Sequence, residues 1–466
     1  MTSKFLLFFC FFACIHDSQA SERRLPSTKK EITISYAPLV KKASPAVVNI
    51  YTKRVVKTRN SPFSGDPFFS QFFGDNFFNF GAPRERIQNS LGSGVVVRSN
   101  GIIVTNQHVI EGAEEITVVL PDKRELPARI VLADKRTDLA VLKVNSGSEI
   151  LTSLQLVDSD DLAVGDLVLA IGNPFGVGQT VTSGIVSALS RAAEGVSDFS
   201  FFIQTDAAIN PGNSGGALVT MDGKLAGINT AIYSRSGGSQ GIGFAIPANM
   251  VARIIDSALG GKGLLSPWLG AAGQKITVDL ASNMGLKRPV GVLINKVYPG
   301  GPADRAGLKV GDIVVSVNKK EVETPAALRF RIATLRLGGV AVLEIWRAGK
   351  LLSLNFPVET APENPKRSIT RLEGKHPLVG AVIANMSPAL AEELSLDPLS
   401  TGVIVLKIRK RSPAKVLGLE PGDYLIGING KLIDKVSTAK NLLNSGSARW
   451  DLTIRRGDDN LSVTVQ

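Results

Sequence analysis

Apolar residues recur along this chain in short runs whose spacing changes character from one region to the next. Residues 38–43 have helical spacing, and 46–51 read as a strand. Periodicity then stops. Residues 57–89 are rich in Phe, Gly, Pro and Asn without helical or strand spacing, the composition of a long loop. From Gly94 to Ile246 short β-branched runs alternate with turns, at 95–97, 102–104, 116–120, 140–144, 167–170, 185–189, 224–228 and 243–246. Many short strands separated by turns predict a sandwich or a barrel. Pro247 suits the first position of a helix, which 248–259 continue to a Gly260-Gly261 stop.

Beyond that helix the chain repeats itself at an offset of about 110 residues. Gly291-Val292-Leu293-Ile294 pairs with Gly402-Val403-Ile404-Val405, Pro302-Ala303 with Pro413-Ala414, and Gly307-Leu308 with Gly418-Leu419. The register holds through Gly311-Asp312 against Gly422-Asp423 and Val317-Asn318 against Ile428-Asn429. Two copies of one small α/β-type module are therefore expected, over 265–360 and 376–466, with the Pro- and charge-rich 361–375 as their linker.

The first residues read as an address. Lys4, the apolar run 5–15 and Ser18-Gln19-Ala20 form an export signal over 1–20, cleaved to leave a mature chain beginning near Ser21. The run is shorter than the roughly 20 residues of a membrane-spanning helix. Cys14 after Ala13 would suit a lipid-modified leader, but Phe11 stands where such signals carry Leu. Cys10 and Cys14 both leave with the signal, so no disulfide, thiolate nucleophile or cysteine metal site is expected, nor any metal or other cofactor. His16 leaves too, and His108 and His376 are the remaining imidazoles.

Charge changes the picture little. Of 53 basic and 41 acidic residues, giving +12, only Lys4 and Asp17 lie in the signal, so the excess persists. The basic residues are scattered and lack the interleaved aromatics of a nucleic-acid platform, which argues against such a partner and leaves peripheral contact with an anionic membrane surface.

Candidate chemistry begins at Pro211-Gly212-Asn213-Ser214-Gly215-Gly216, a hydroxyl set among glycines that permit backbone conformations closed to other residues. Such a turn aims successive N–H groups at one point, as an oxyanion hole requires. Within Gly212, Asn213 and Ser214 the donors would be Gly212 and Ser214, with Ser214 Oγ as nucleophile. A base is needed, and His108 ends an apolar strand in Thr105-Asn106-Gln107-His108-Val109. The carboxylate that fixes its tautomer is expected at Asp138, which opens the buried-looking strand Leu139-Ala140-Val141-Leu142. Asp134, Asp158, Asp160 and Asp161 read as surface or turn residues, with Asp206 a weaker competitor for the triad. His376, without a Gly-Ser partner, reads as structural.

The order His, Asp, Ser is that of chymotrypsin-type enzymes. Thr105-Asn106-Gln107-His108-Val109, Thr137-Asp138-Leu139-Ala140, Gly212-Asn213-Ser214-Gly215-Gly216 and Gly241-Ile242-Gly243-Phe244-Ala245-Ile246-Pro247 resemble the signatures of the HtrA/Deg (Do-like) serine proteases, in the DegP/DegQ-like branch. The resemblance implies a mainly β chain with a chymotrypsin-like double β-barrel protease domain over 36–260, followed by two small α/β-type PDZ domains. It also implies a periplasmic, ATP-independent endoprotease that degrades misfolded exported proteins, with chaperone activity and trimer-based homo-oligomers. Its partners would be unfolded proteins and peptide C-termini. The rival readings are a proteolytically silent holdase and an envelope scaffold.

Finer expectations follow from the same resemblance. The PDZ loop that receives a peptide end matches Trp268-Leu269-Gly270-Ala271 in the first copy and, less well, Leu378-Val379-Gly380-Ala381 in the second. The residue six before the nucleophile, Ala208, lies near the floor of the primary pocket in chymotrypsin-like folds, with Ile242, Gly243 and Phe244 at its wall. An uncharged floor favours small or medium aliphatic residues over Lys or Arg. Finally, Phe63, Phe68, Phe69, Phe72, Phe73, Phe77, Phe78 and Phe80 crowd 62–82 with few charges, and some are expected to bury in a neighbouring subunit.

Overall fold

The computed structural model describes residues 35–56, 86–173, 178–191, 201–210, 212–232, 239–260, 266–394, 396–397 and 399–465. Both the signal over 1–20 and the Phe-rich 62–82 lie outside them, as do 57–85 in general, whereas residues 86–89 of the expected loop already belong to a strand.

Two closed barrels follow one another. The first joins β1 (Val47–Val56), β2 (Arg86–Arg98), β3 (Ile102–Asn106), β4 (Glu115–Val119), β5 (Glu125–Asp134) and β6 (Leu139–Val144) in the order β1-β2-β3-β6-β5-β4. The second joins β7 (Leu167–Gly172), β8 (Thr180–Arg191), β9 (Phe202–Thr205), β10 (Ala217–Thr220), β11 (Leu225–Ile232) and β12 (Gly243–Pro247) in the order β10-β11-β12-β9-β8-β7. Strands such as Ile102-Ile103-Val104 are apolar without alternation because both faces are buried. Ile103, Ala140 and Leu142 fill the first barrel, while Val104, Leu139 and Val141 turn outward into the layer between the barrels. There they meet Leu169, Ile171 and Ala217 of the second barrel. Helix α1 (Ala248–Leu259) closes the domain, burying Met250, Val251, Ile254 and Ile255 at helical spacing.

Both repeats fold as small sheets with helices. The first orders β13 (Ala271–Lys275), β14 (Val292–Val297), β15 (Ile313–Val317), β17 (Val340–Arg347) and β18 (Lys350–Pro357), with β16 (Lys320–Glu321) paired to β15 and α2 (Pro325–Ala333) alongside. In the second, β19 (Thr370–Arg371) precedes β20 (Ala381–Asn385), β21 (Val403–Ile408), β22 (Tyr424–Ile428), β24 (Trp450–Arg456) and β25 (Asp459–Val465). Here β23 (Lys431–Leu432) pairs with β22, and the longer helices are α3 (Pro388–Glu393) and α4 (Val436–Asn444).

The repetition extends to single atoms. Arg347 binds Asp312 through Nε and Nη2, at 2.6 Å each, and donates to the Gly307 carbonyl at 2.7 Å. Arg456 does the same to Asp423, at 2.7 and 2.8 Å, and to the Gly418 carbonyl at 2.8 Å. Both carboxylates are almost fully buried and so depend on these charge-assisted bonds.

The modules touch the barrels at separate places. Phe330 of α2 stacks on Phe201, ring centroids 3.9 Å apart, and Arg331 pairs with Asp160. Arg136 Nη1 donates to the Glu392 carbonyl of α3 at 2.9 Å.

Candidate active site

His108 stands in the helical turn Gln107–Ile110 that follows β3, and Asp138 precedes β6 on the adjoining strand of the first barrel. Asp138 adopts φ +54, a left-handed conformation that Asp tolerates better than most residues. Its carbonyl is held there by Asn106 Nδ2 at 3.0 Å and the Gln107 N–H at 3.1 Å. The carboxylate then faces the imidazole: His108 Nδ1 lies 2.8 Å from Oδ2 and 3.0 Å from Oδ1, and the His108 N–H donates to Oδ1 at 3.0 Å. Because a carboxylate only accepts, Nδ1 carries the proton and Nε2 is left as the base.

Ser214 comes from the second barrel, in the loop before β10. Gly212 at φ +98 and Gly215 at φ +82 give this loop its shape. The Asn213 N–H is spent on the Asn210 carbonyl at 3.0 Å, so it is unavailable to an oxyanion. Among the described residues the Gly212 and Ser214 N–H groups meet no acceptor, which leaves them as the two donors of a hole. Ser214 Oγ donates to the Thr230 carbonyl at 3.1 Å; rotation about its Cα–Cβ bond is what would turn it to His108.

Two residues without a part in the sequence reading hold this arrangement together. Thr230, buried in β11, donates through Oγ1 to Asp138 Oδ2 at 2.6 Å while its carbonyl accepts from Ser214, so one residue touches both ends of the triad. Ser93, fully buried in β2, pins the nucleophile loop to the first barrel. Its N–H donates to the Ser214 carbonyl at 2.9 Å and its Oγ to the Gly212 carbonyl at 2.6 Å, while that Oγ accepts from the Asn173 N–H at 2.9 Å.

Other candidates fall elsewhere. Asp206 faces solvent and accepts from the Ile185 N–H at 2.7 Å. Asp134 is buried, not a surface residue: its Oδ2 accepts from Thr137 N–H and Oγ1 at 3.2 and 2.8 Å, shaping the turn into Asp138. Ala208 lies beside the nucleophile loop, its carbonyl accepting from Thr182 Oγ1 at 2.8 Å and Asn213 Nδ2 at 3.5 Å. Strand alternation separates the supposed pocket wall. Gly243 packs against Ile209, whereas Phe244 points the other way, into the core beside Phe202 with ring centroids 5.8 Å apart. Phe244 is a packing residue rather than a wall, and Ile242 is half-buried against the same core. His376 is buried beside Trp450, its Nε2 donating to the Glu373 carbonyl at 3.2 Å.

In the first repeat Trp268 and Leu269 are buried, and Gly270 turns at φ +74 against the Trp268 ring. Ala271 then starts β13.

Electrostatics set the operating range. Burial alone would lower the His108 pKa, but the Asp138 charge and hydrogen bond, helped by the Glu111 carboxylate, outweigh it and hold it above the ordinary 6.5. Only the neutral imidazole accepts a proton from serine. As pH falls, kcat/KM on a short peptide should therefore decline through an apparent pKa above 6.5, with full activity on the alkaline side. A profile that stays flat from about pH 8 to about pH 5 in protein still folded would contradict His108 as base.

Comparison with known proteins places the chain in a family. The trypsin-like peptidase domain matches residues 92–228, and the PDZ domain matches 293–347 and again 404–456. The periplasmic serine endoprotease DegP of Salmonella typhimurium is 37% identical over 457 residues, covering 93% of this chain and 92% of that protein. The probable periplasmic serine protease do/HhoA-like of Haemophilus influenzae is 39% identical, with 97% and 95% covered. A solved structure of the HtrA-type protease AlgW with decapeptide is 42% identical, with a TM-score of 0.52, covering 71% of this chain and 99% of that one.

Proposed function

Because this chain belongs to the HtrA/DegP family of periplasmic serine endoproteases, we propose that it degrades unfolded or misfolded exported proteins with His108, Asp138 and Ser214 as its triad. The observation that supports the assignment is that Asp138 is bonded to His108 and to Thr230 Oγ1, while the Thr230 carbonyl accepts from Ser214 Oγ, so one residue of the second barrel links the pair to the serine. In the reaction His108 Nε2 takes the Ser214 proton as Oγ attacks the scissile carbonyl carbon. The Gly212 and Ser214 N–H groups receive the oxyanion, and the imidazolium returns the proton to the leaving amine. Water repeats the sequence to release the acyl group. No step draws on ATP.

Further features of the reading rest on other parts of the chain. The first PDZ module, 265–360, captures an extended chain end along β13, with Leu269 and Gly270 N–H groups receiving the carboxylate. Small or medium aliphatic residues are preferred at the cleavage site beside Ala208. The working form of the chain is a trimer-based homo-oligomer. Holding unfolded chains without cutting them is a second use of the same binding surfaces.

A serine-directed fluorophosphonate tests the central claim, because it forms an Oγ–phosphorus bond only at an activated serine and expels fluoride. We expect the label on the peptide containing Ser214, and ATP-free degradation of an unfolded substrate that stops when labelling is complete. Degradation that continues after complete labelling would refute the assignment, and absence of both reactions would favour a silent holdase.

A further inference from the structure

The two repeats differ where an extended chain would join them. In the first, β13 is the outer strand of its sheet with α2 beside it. Among the described residues the Leu269 and Gly270 N–H groups in the preceding turn meet no acceptor. In the second, β20 takes the place of β13 but is not an edge: β19 lies antiparallel against it, Thr370 opposite Ile383 and Arg371 opposite Val382.

Pairing runs beyond those two residues. The Leu372 N–H donates to the Ala381 carbonyl at 2.9 Å, and the Gly380 N–H donates back to the Leu372 carbonyl at 3.0 Å. At the other end the Asn385 N–H donates to the Arg367 carbonyl at 2.7 Å and Asn385 Nδ2 to the Lys366 carbonyl at 2.8 Å. The Leu372 side chain, 3% exposed, sits in one cluster with Leu378 and Ala381 on the strand side and Val436, Ala439 and Leu443 of α4. The remaining donors of the turn are also used, Val379 N–H on the His376 carbonyl at 3.3 Å and Ala381 N–H on the Leu378 carbonyl at 3.2 Å.

This is the geometry of a peptide added to a sheet edge: antiparallel, running toward a glycine turn, with its last apolar side chain lodged between strand and helix. The Leu372 carbonyl takes the Gly380 N–H that a terminal carboxylate would otherwise take. The chain then leaves through Gly374 at φ +124, so the occupant is an internal segment rather than an end. What the sequence presents as a linker is in large part a bound strand.

We propose that the groove between β20 and α4 is a peptide site which this chain fills with its own residues 366–372. An outside segment, extended and carrying an aliphatic residue at the Leu372 position, enters only by displacing them, and chain-end capture is left to the first module. The inference goes beyond the proteolytic reading and does not depend on turnover.

The test uses the full chain carrying Ser214→Ala, with and without Leu372→Ser, and hydrogen exchange at the Gly380 and Asn385 amides, which donate to the bound strand. The probe is a synthetic peptide of this chain's residues 363–372 with a free carboxylate. Losing one buried Leu side chain should speed exchange of both amides by about tenfold or more. Added peptide should slow them again in Leu372→Ser while leaving the parent unchanged. Thr370→Cys with Ile383→Cys, oxidised on top of Leu372→Ser, should restore the parent's slow exchange and block the peptide. Equal exchange in parent and Leu372→Ser, or equal peptide binding by both at this groove, overturns the proposal. Fast exchange that neither peptide nor crosslink reverses also overturns it, because Leu372 is then part of the module's core and not a ligand.

Discussion

Replacing Ser214 with Ala should lower turnover of an unfolded protein substrate by about 10⁴-fold or more, and His108→Ala should do nearly the same. The two losses are not additive, because each leaves the other without its partner: a base with no proton to take, or a hydroxyl that stays neutral. What survives is the background from the Gly212 and Ser214 N–H donors and from substrate binding. Among the described residues Ser214 Oγ donates to the Thr230 carbonyl alone, so its removal leaves no donor unpaired and takes one partner from that buried acceptor; stability should fall by no more than about 1–3 kcal/mol, and peptide-end binding should stay near the parent value. Single-turnover assays on purified protein, beside thermal melts, separate the two effects. A loss of less than about tenfold in Ser214→Ala would remove the serine from the mechanism.

The candidate triad could be picked out because each member sits in a local pattern that chemistry explains: a serine among glycines, a histidine closing an apolar strand, an aspartate opening another. Short β-branched runs with turns narrowed the first region to a sandwich or a barrel, and it was the family resemblance, not the spacing, that implied two closed barrels. Thr230 and Ser93 were not legible. Hydroxyls are common on strands, and their roles exist only where the two barrels meet, more than 90 residues away from Asp138 in one case and 119 from Gly212 in the other. Phe244 was misread for a related reason. Its neighbours in sequence suggest a pocket, but the side to which a strand residue points is fixed by register, and here Gly243 opposes Thr205 while Phe244 opposes Gln204. The strand at Thr370–Arg371 left no periodic signal either, because two paired residues are too few to show alternation. Its partner is chosen by β20 and α4 rather than by its own composition.

Gly215→Ala should cost as much as any substitution that leaves the triad side chains intact. A Cβ there would stand 2.1 Å from the Ser93 carbonyl oxygen and 2.4 Å from Thr105 Oγ1, and the backbone at φ +82 is strained for any L side chain. Neither obstacle can yield cheaply. Ser93 is held by the Ser214 carbonyl, the Gly212 carbonyl and the Asn173 N–H, and Thr105 Oγ1 itself donates to Ser93 at 2.7 Å. The loop must therefore lift from the first barrel, taking Ser214 away from His108 and the two N–H donors away from the oxyanion position. Misplacing one such donor costs about 10²–10³ in kcat, and overpacking with left-handed strain destabilises by about 2–5 kcal/mol. Gly165→Ala is the control for strain alone, since that glycine has φ +97 but nothing within 4 Å of its Cβ position. We expect kcat/KM to fall by about 10²-fold or more in Gly215→Ala and to stay within about threefold of the parent in Gly165→Ala, with peptide-end capture by the first PDZ module unchanged in both. Equal losses in the two variants would mean that backbone strain, and not contact with the first barrel, governs the loop, and the pinning role assigned to Ser93 would fall with it.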